Sequence, residues 1–101
     1  LIVVKRPVSF KAHKSLGKLY IEQNFVDKAL AEFSQAIELQ PGDPESHYEL
    51  GKIYHRKSED NKKHIKNAIF HYERYLYLGG KEESEVQDIL KELRKKKDNV
   101  L

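Results

Sequence analysis

The sequence predicts an all-α fold of tandem antiparallel helical hairpins with five helices. The main observation is an internal repeat, because Leu16-Gly17-x-x-Tyr20 recurs 34 residues later as Leu50-Gly51-x-x-Tyr54. Apolar residues after each copy follow at spacings of three and four, which is typical of amphipathic helices. A repeat length in the mid-thirties indicates supersecondary units that bury their apolar faces only by stacking on a neighbour.

The composition limits the chain to one modest domain and excludes several kinds of chemistry. Of its 101 residues, 39% are hydrophobic and 35% are charged, which suits thin helical layers with large solvated faces. No cysteine is present, so the chain has neither a disulfide nor a thiolate metal site. No stretch approaches the roughly 18 apolar residues that a membrane span requires. The chain also contains no methionine, and we therefore expect Leu1 to begin a fragment or a processed product.

The first hairpin is predicted over residues 10–43, after a lead-in of residues 1–9. Ser9 is a plausible N-cap for a helix over residues 10–23. Asn24 suits a tight turn, because asparagine tolerates the left-handed backbone conformation. A second helix then extends from Phe25 to about Leu39, and Pro41-Gly42 ends it.

The second hairpin is predicted over residues 44–80, with Asp43 as the N-cap and Pro44 at the first helical position. The polar segment 55–64 contains five residues more than the corresponding part of the first unit. This insertion is either a loop or an extension of the two flanking helices. The fourth helix begins at Ile65, and Gly79-Gly80 stops it because glycine takes the left-handed C-terminal position without steric cost.

A fifth helix is predicted within residues 81–101. Ser84 and Gln87 have the spacing of a capping box at its start. Its apolar residues form one narrow stripe and its other faces are polar; the stripe consists of Val86, Ile89, Leu90 and Leu93. A helix that buries one side and solvates the rest suits the open end of a repeat stack, so we expect a capping helix.

These motifs resemble the tetratricopeptide repeat (TPR) family. In that family Leu-Gly and then Tyr lie on the first helix of each unit, and alanine, an aromatic residue and a second alanine lie on the second helix, before a proline. The matching residues are Leu16, Gly17, Tyr20, Ala29, Phe33, Ala36 and Pro41 in the first unit and Leu50, Gly51, Tyr54, Ala68 and Tyr72 in the second. The resemblance implies two TPR units in a right-handed superhelix, closed by the capping helix.

The sequence departs from the family pattern at four places. His13 and His47 stand where tryptophan is usual, Tyr75 replaces a small residue, and Gly80 replaces the proline. We expect Tyr75 to pack on the capping helix, where no further repeat crowds it.

The histidines and serines do not form a recognisable catalytic or metal-binding pattern. His13 and His47 occupy equivalent repeat positions and are predicted to pack between helices. His64 and His71 share a helical face but lie two turns apart, about 10 Å, which is too far to ligate one ion. No Gly-x-Ser-x-Gly turn and no phosphate-binding glycine loop occurs. We therefore predict no enzymatic activity, no metal and no cofactor.

The basic residues are concentrated at the N-terminal end. Residues 1–20 carry five basic groups and no acid, whereas residues 21–44 carry five acids and only Lys28. A second basic run, Arg94 to Lys97, is expected to complement the macrodipole at a helix C-terminus. We therefore do not expect nucleic acid as a partner.

The TPR resemblance implies that the first helix of each unit lines a concave groove for a partner segment. Carried over, this face consists of Lys11, Lys14, Lys18, Tyr48, Lys52, His55 and Arg56. The three lysines stand at i, i+3 and i+7, hence on one stripe of a helix. We predict a protein–protein interaction module whose basic groove receives an acidic segment, with Tyr48 as an aromatic anchor.

Two alternatives to this groove remain open. The lysines of the first helix are solvated without binding anything, or the module has a structural role. In the structural role it stacks with further repeats or associates with itself through its exposed helix faces.

Overall fold

The computed structural model describes residues 9–99, and this part of the chain is built from helices without strands. Its elements are α1 (Phe10–Glu22), α2 (Val26–Leu39), α3 (Pro44–Asp60), a 3-10 helix (Lys62–His64), α4 (Ile65–Tyr77) and α5 (Glu83–Asp98). Five α-helices were predicted, and the described residues contain five. The chain divides into two compact units, one extending to Pro41 and the other beginning at Gly42. Apart from Ser9, the predicted lead-in lies outside the described residues.

The first unit, α1 and α2, is defined by the local signals of its sequence. The Ser9 hydroxyl accepts a hydrogen bond from the Ala12 N–H at 3.1 Å, as an N-cap does. Asn24 has φ 64°, the left-handed conformation predicted for the turn. The Phe25 N–H donates to the Tyr20 carbonyl at 2.8 Å, which closes the link between the two helices.

A glycine facing an aromatic ring sets the close approach of α1 and α2. A Cβ on Gly17 would lie 2.7 Å from the Phe33 ring, so only hydrogen fits there. Phe33, Ala29 and Ala36 are completely buried. Burial of a phenylalanine side chain contributes about 1.5–3 kcal/mol to stability, so this contact is a main source of cohesion in the unit.

The second unit begins with the predicted N-cap, Asp43, and its polar segment 55–64 is mostly helical. The Asp43 carboxylate accepts from the Ser46 N–H at 3.0 Å, and Pro44 occupies the first turn. Helix α3 continues through Asp60, so most of segment 55–64 extends this helix. Asn61 then starts the short 3-10 helix, its side chain accepting from the Lys63 N–H at 3.1 Å.

Helix α4 ends at glycines, as predicted, but α5 begins in an unforeseen way. Gly79 has φ +84°, a conformation that favours glycine. The capping box predicted at Ser84 and Gln87 is wrong, because α5 already begins at Glu83 without a side-chain cap. Instead, the Tyr75 hydroxyl accepts a hydrogen bond from the Glu82 N–H at 2.8 Å. The Tyr75 hydroxyl of the preceding helix thus serves as the acceptor that had been expected from Ser84.

The core of the second unit repeats the glycine–aromatic contact and extends it to α5. A Cβ on Gly51 would lie 2.9 Å from the ring of Tyr72, which is 1% exposed. The apolar stripe of α5 lies in the same cluster as the buried residues of α4; the buried residues of the cluster are Ile65, Ala68, Ile69, Tyr72, Tyr75, Val86, Leu90 and Leu93. Ile89 packs against it only partly buried.

The two copies of the repeat motif differ in how far their leucines are buried. Leu50 is 1% exposed in the second unit, whereas Leu16 at the matching position of the first unit is 38% exposed. Tyr20 and Tyr54 are both half-buried, and Pro41 is exposed. Within residues 9–99, no helix combines the length and apolar character needed to cross a membrane.

Candidate partner-binding faces

Helix α1 carries the first candidate face, which we call the α1 lysine face: Lys11, Lys14 and Lys18. Lys11 and Lys18 are exposed, and Lys14 is half-buried. The Lys14 ammonium lies 5.1 Å from the centre of the Phe10 ring, a cation–π contact that directs this side chain. The helical repeat brings the three lysines onto one stripe.

The charge of α1 is strongly biased towards positive. Its only acidic residue is Glu22, the last residue of the helix, and its first turn contains no acid. Lysine ammonium groups are compact charges on flexible stems, without the fixed two-point geometry of arginine. The α1 lysine face is therefore suited to carboxylates on a flexible segment rather than to one rigid anion.

Helix α3 carries the second candidate face, which we call the α3 face: Tyr48, Lys52, His55 and Arg56. Tyr48 and His55 are half-buried, and Lys52 and Arg56 are exposed. The Tyr48 ring stacks on Tyr75, with ring centres 4.7 Å apart, and the Lys52 ammonium lies 4.6 Å from its centre. Tyr75 and Lys52 therefore both pack against the Tyr48 ring. The sequence did not predict this packing role.

The surroundings of Tyr48 and His55 shift the pKa of each side chain. Burial, followed by the nearby Glu85 carboxylate, raises the pKa of Tyr48, whose hydroxyl donates to Glu85 at 3.4 Å. Burial and then Lys96 lower the pKa of His55, so the neutral imidazole is favoured. Its Nδ1 lies 3.4 Å from the Tyr72 hydroxyl.

The two faces differ in charge. On α3, Lys52 forms an ion pair with Glu49 at 3.0 Å, and Glu85 stands beside Tyr48. The α3 face is thus a mixed polar surface with both signs of charge. The α1 lysine face is the more basic of the two.

Sequence reasoning missed a buried contact between two histidines. His47 on α3 and His71 on α4 are 4% and 8% exposed, and their Nδ1 atoms lie 3.0 Å apart. The Tyr54 ring stacks nearly parallel on His71, with centres 5.6 Å apart. Burial and the neighbouring His47 lower the pKa of His71 to about 4. The packing of α4 against α3 brings these two rings together, although they are 24 residues apart in the sequence.

The other histidine predicted to pack also has a partner across its hairpin. His13 on α1 lies 2.6 Å from a carboxylate oxygen of Glu32 on α2. Both side chains are half-buried, and the contact links α1 to α2. Within residues 9–99, no three histidine, aspartate or glutamate side chains gather as a metal site would require.

The fold and these faces define a class: helical hairpins with repeated Leu-Gly-x-x-Tyr motifs and one polar face on each first helix. Residues 17–58 match the family model described as TPR repeat. The predicted resemblance is therefore confirmed over these residues. No curated protein matches the chain. TPR repeats are typical of protein–protein interaction modules and are usually non-catalytic.

Proposed function

We propose that the protein is a non-catalytic interaction module that binds an acidic segment of another protein along its first helices. The observation that carries this proposal is the α1 lysine face, three lysines on one stripe of a helix whose only acid is its last residue. An acidic segment would lie along this stripe and place its carboxylates near the ammonium groups. The proposed units are residues 10–43 and 44–80, followed by the capping segment 81–101.

The expected binding energy comes from several weak contacts. Exposed ion pairs contribute about 0.2–1 kcal/mol each, so no single lysine determines binding. Because exposed charges are screened over about 8–10 Å at physiological salt, we expect binding to weaken as salt is added. Salt sensitivity therefore separates this mode of binding from apolar docking.

The α3 face has a secondary role in the proposal. Lys52 and Arg56 are exposed and add positive charge. Tyr48 packs against both Tyr75 and the Lys52 ammonium, so a partner would contact its ring edge and hydroxyl rather than a ring face. We therefore expect Tyr48 to shape the face rather than to act as the main anchor.

Charge reversal on α1 tests the proposal. The probe is a fluorescein-labelled peptide of six glutamates, and its Kd is measured by fluorescence anisotropy in low salt. The test variant carries Lys11→Glu and Lys18→Glu, both at exposed positions, so the fold should persist. We expect the Kd to rise at least about tenfold, which corresponds to about 1.4 kcal/mol.

A matched variant controls for net charge. Lys81→Glu with Lys91→Glu makes the same change in charge at two exposed positions of the second unit. This variant should bind the probe within about twofold of the parent, since a twofold change is only about 0.4 kcal/mol. Equal weakening by both variants would contradict the proposal, because attraction would then follow total charge and not the α1 lysine face.

Self-assembly is a second candidate function, and the exposed leucines of α1 favour it. Leu16 is 38% and Leu19 is 51% exposed, which is unusual for two leucines one turn apart. If the module associates through them, its mass in sedimentation should rise with concentration, and Leu19→Lys should abolish the rise. Leu39→Lys is the matched control, because Leu39 is 50% exposed at the end of α2. A constant monomer mass would eliminate this candidate.

A further inference from the structure

A group of lysines surrounds a cavity at one end of the second unit. The cavity has a volume of about 490 Å³ and is lined by Lys62, Lys63, Ile65, Lys66 and Lys97; we call it the lysine cavity. A second cavity of about 360 Å³ shares Lys62 and Ile65 with it and adds Lys96. Five lysines thus meet around one apolar residue.

These lysines come from three different elements. Lys62 and Lys63 belong to the 3-10 helix in the polar insertion, Lys66 to the first turn of α4, and Lys96 and Lys97 to the last turn of α5. The insertion that distinguishes the second repeat from the first therefore supplies two of the ammonium groups. A stretch of solvated charge on one helix would not produce this convergence.

The positive charge of the cavity is not balanced by its own walls. Among residues 9–99, no acidic side chain lines the lysine cavity, and the smaller cavity has a single one, Glu59. Two ion pairs of this unit lie elsewhere, between Lys52 and Glu49 and between Arg94 and Glu73. The first turn of α4 also lacks an acid, so the positive end of its dipole adds to the local potential.

We propose that the lysine cavity binds clustered carboxylates of an acidic protein segment. Like charges gathered in this way repel one another, and a multiply charged anion relieves the repulsion. The volume lies in the ordinary range of about 300–1,000 Å³ for ligand pockets, enough for a few side chains. This site is independent of the α1 lysine face and would exist without it.

The described lining favours an acidic protein segment over single-stranded nucleic acid. Single-stranded nucleic acid is bound by aromatic side chains on which bases stack, and the lysine cavity has no aromatic lining. The methylene stems of the lysines give apolar surface that accepts the methylene groups of glutamate.

Amide shift mapping on the whole chain tests the proposal. The probe is an acetylated peptide of six glutamates, titrated in low salt while the backbone amide resonances are followed. We expect saturable shifts at residues 61–66 and 96–99, with their own Kd. Shifts on α1 report the other site separately, so failure at one site does not imply failure at the other.

Neutralising two lysines distinguishes the cavity from general attraction. Lys63→Gln with Lys97→Gln should raise the Kd read from residues 61–66 about tenfold, whereas Lys81→Gln with Lys91→Gln should leave it within about twofold. Absence of saturable shifts there, or equal weakening by both variants, would overturn the proposal. So would tighter binding at these amides of a twelve-nucleotide oligothymidylate or of phosphatidylglycerol vesicles, because the occupant would then be a phosphate.

Discussion

At the scale of single residues, one contact between a glycine and an aromatic ring recurs in both hairpins. Gly17 faces Phe33, and Gly51 faces Tyr72, each ring being almost completely buried. A small residue is required where two helices approach this closely. The ring fills the space that a side chain would otherwise take.

Replacing Gly17 with alanine tests this contact. Alanine favours a helix interior by about 0.5–1 kcal/mol over glycine, but overpacking against a buried ring costs about 1–3 kcal/mol. We therefore expect Gly17→Ala to lower the free energy of unfolding by about 1 kcal/mol in urea denaturation followed by circular dichroism. Gly42→Ala is the control, because a Cβ there meets nothing within 4 Å. Equal stability of the two variants would refute a steric role for Gly17.

Tyr75 departs from the family pattern in the second repeat, and its contacts explain this departure. Its ring is 5% exposed and stacks on Tyr48, and its hydroxyl accepts from the Glu82 N–H just before α5. Its ring also lies against Gly80, where any Cβ would overlap it. The tyrosine and the glycine that replaces proline are therefore explained together.

Removing one hydroxyl tests the link between Tyr75 and α5. Tyr75→Phe leaves the Glu82 amide without its acceptor, and we expect a loss of about 1 kcal/mol in the free energy of unfolding. Tyr77→Phe, at an 80% exposed position, makes the same chemical change and should have no measurable effect. If thermal or urea unfolding shows both variants equal to the parent, the hydrogen bond does not stabilise the start of α5.

At the scale of elements, helices were predictable wherever the signal is local. Ser9, Asn24, Asp43 and the Gly79-Gly80 pair act through neighbouring backbone, so their effects follow from the sequence. The start of α5 was mispredicted because the hydroxyl that accepts the hydrogen bond from Glu82 belongs to Tyr75 of α4 and not to the nearby Ser84. The insertion 55–64 could not be assigned, since a polar helix extension and a loop share the same composition.

The contact between α3 and α4 through His47 and His71 depends on hairpin register, which the repeat motif alone does not specify. At 3.0 Å, one Nδ1 must donate a hydrogen bond and the other must accept it. Protonation of the accepting Nδ1 would place two N–H groups against each other. Tyr54 covers one face of His71 and Phe70 approaches it edge-on. The pair is therefore stable as two neutral rings.

This pair predicts that acid destabilises the second unit. Burial and His47 lower the pKa of His71 from 6.5 to about 4. Between these pH values the unfolded chain binds a proton that the folded chain does not. The free energy of unfolding is therefore highest above pH 6.5 and falls as the pH decreases to about 4. We expect a loss of about 2 kcal/mol between pH 7 and pH 5, measured by urea denaturation with tyrosine fluorescence.

A variant without the titrating ring serves as the control for the acid effect. His71→Phe keeps an aromatic ring beside Tyr54 but binds no proton. The dependence of its unfolding free energy on pH should be shallower than that of the parent by up to about one proton. Identical slopes in parent and variant would show that His71 is not the group responsible.

At the scale of the whole molecule, the repeat determines the architecture, and the differences between copies point to function. The TPR match covers residues 17–58, and the α1 lysine face begins just before it and overlaps its start. The lysine cavity arises from the insertion and the end of α5, outside the shared motif. The basic stripe on α1 was visible in the sequence, whereas the cavity was not, because its lysines converge only after α4 and α5 pack together.

Amide shift mapping on α1 tests whether an acidic segment binds along the α1 lysine face. The whole chain is titrated with the six-glutamate peptide in low salt, and the amides of residues 11–18 are followed. We expect saturable shifts on α1 that disappear in the Lys11→Glu, Lys18→Glu variant and persist in the Lys81→Glu, Lys91→Glu variant. Unmoved α1 amides in the parent, at peptide concentrations that saturate other parts of the chain, would contradict it.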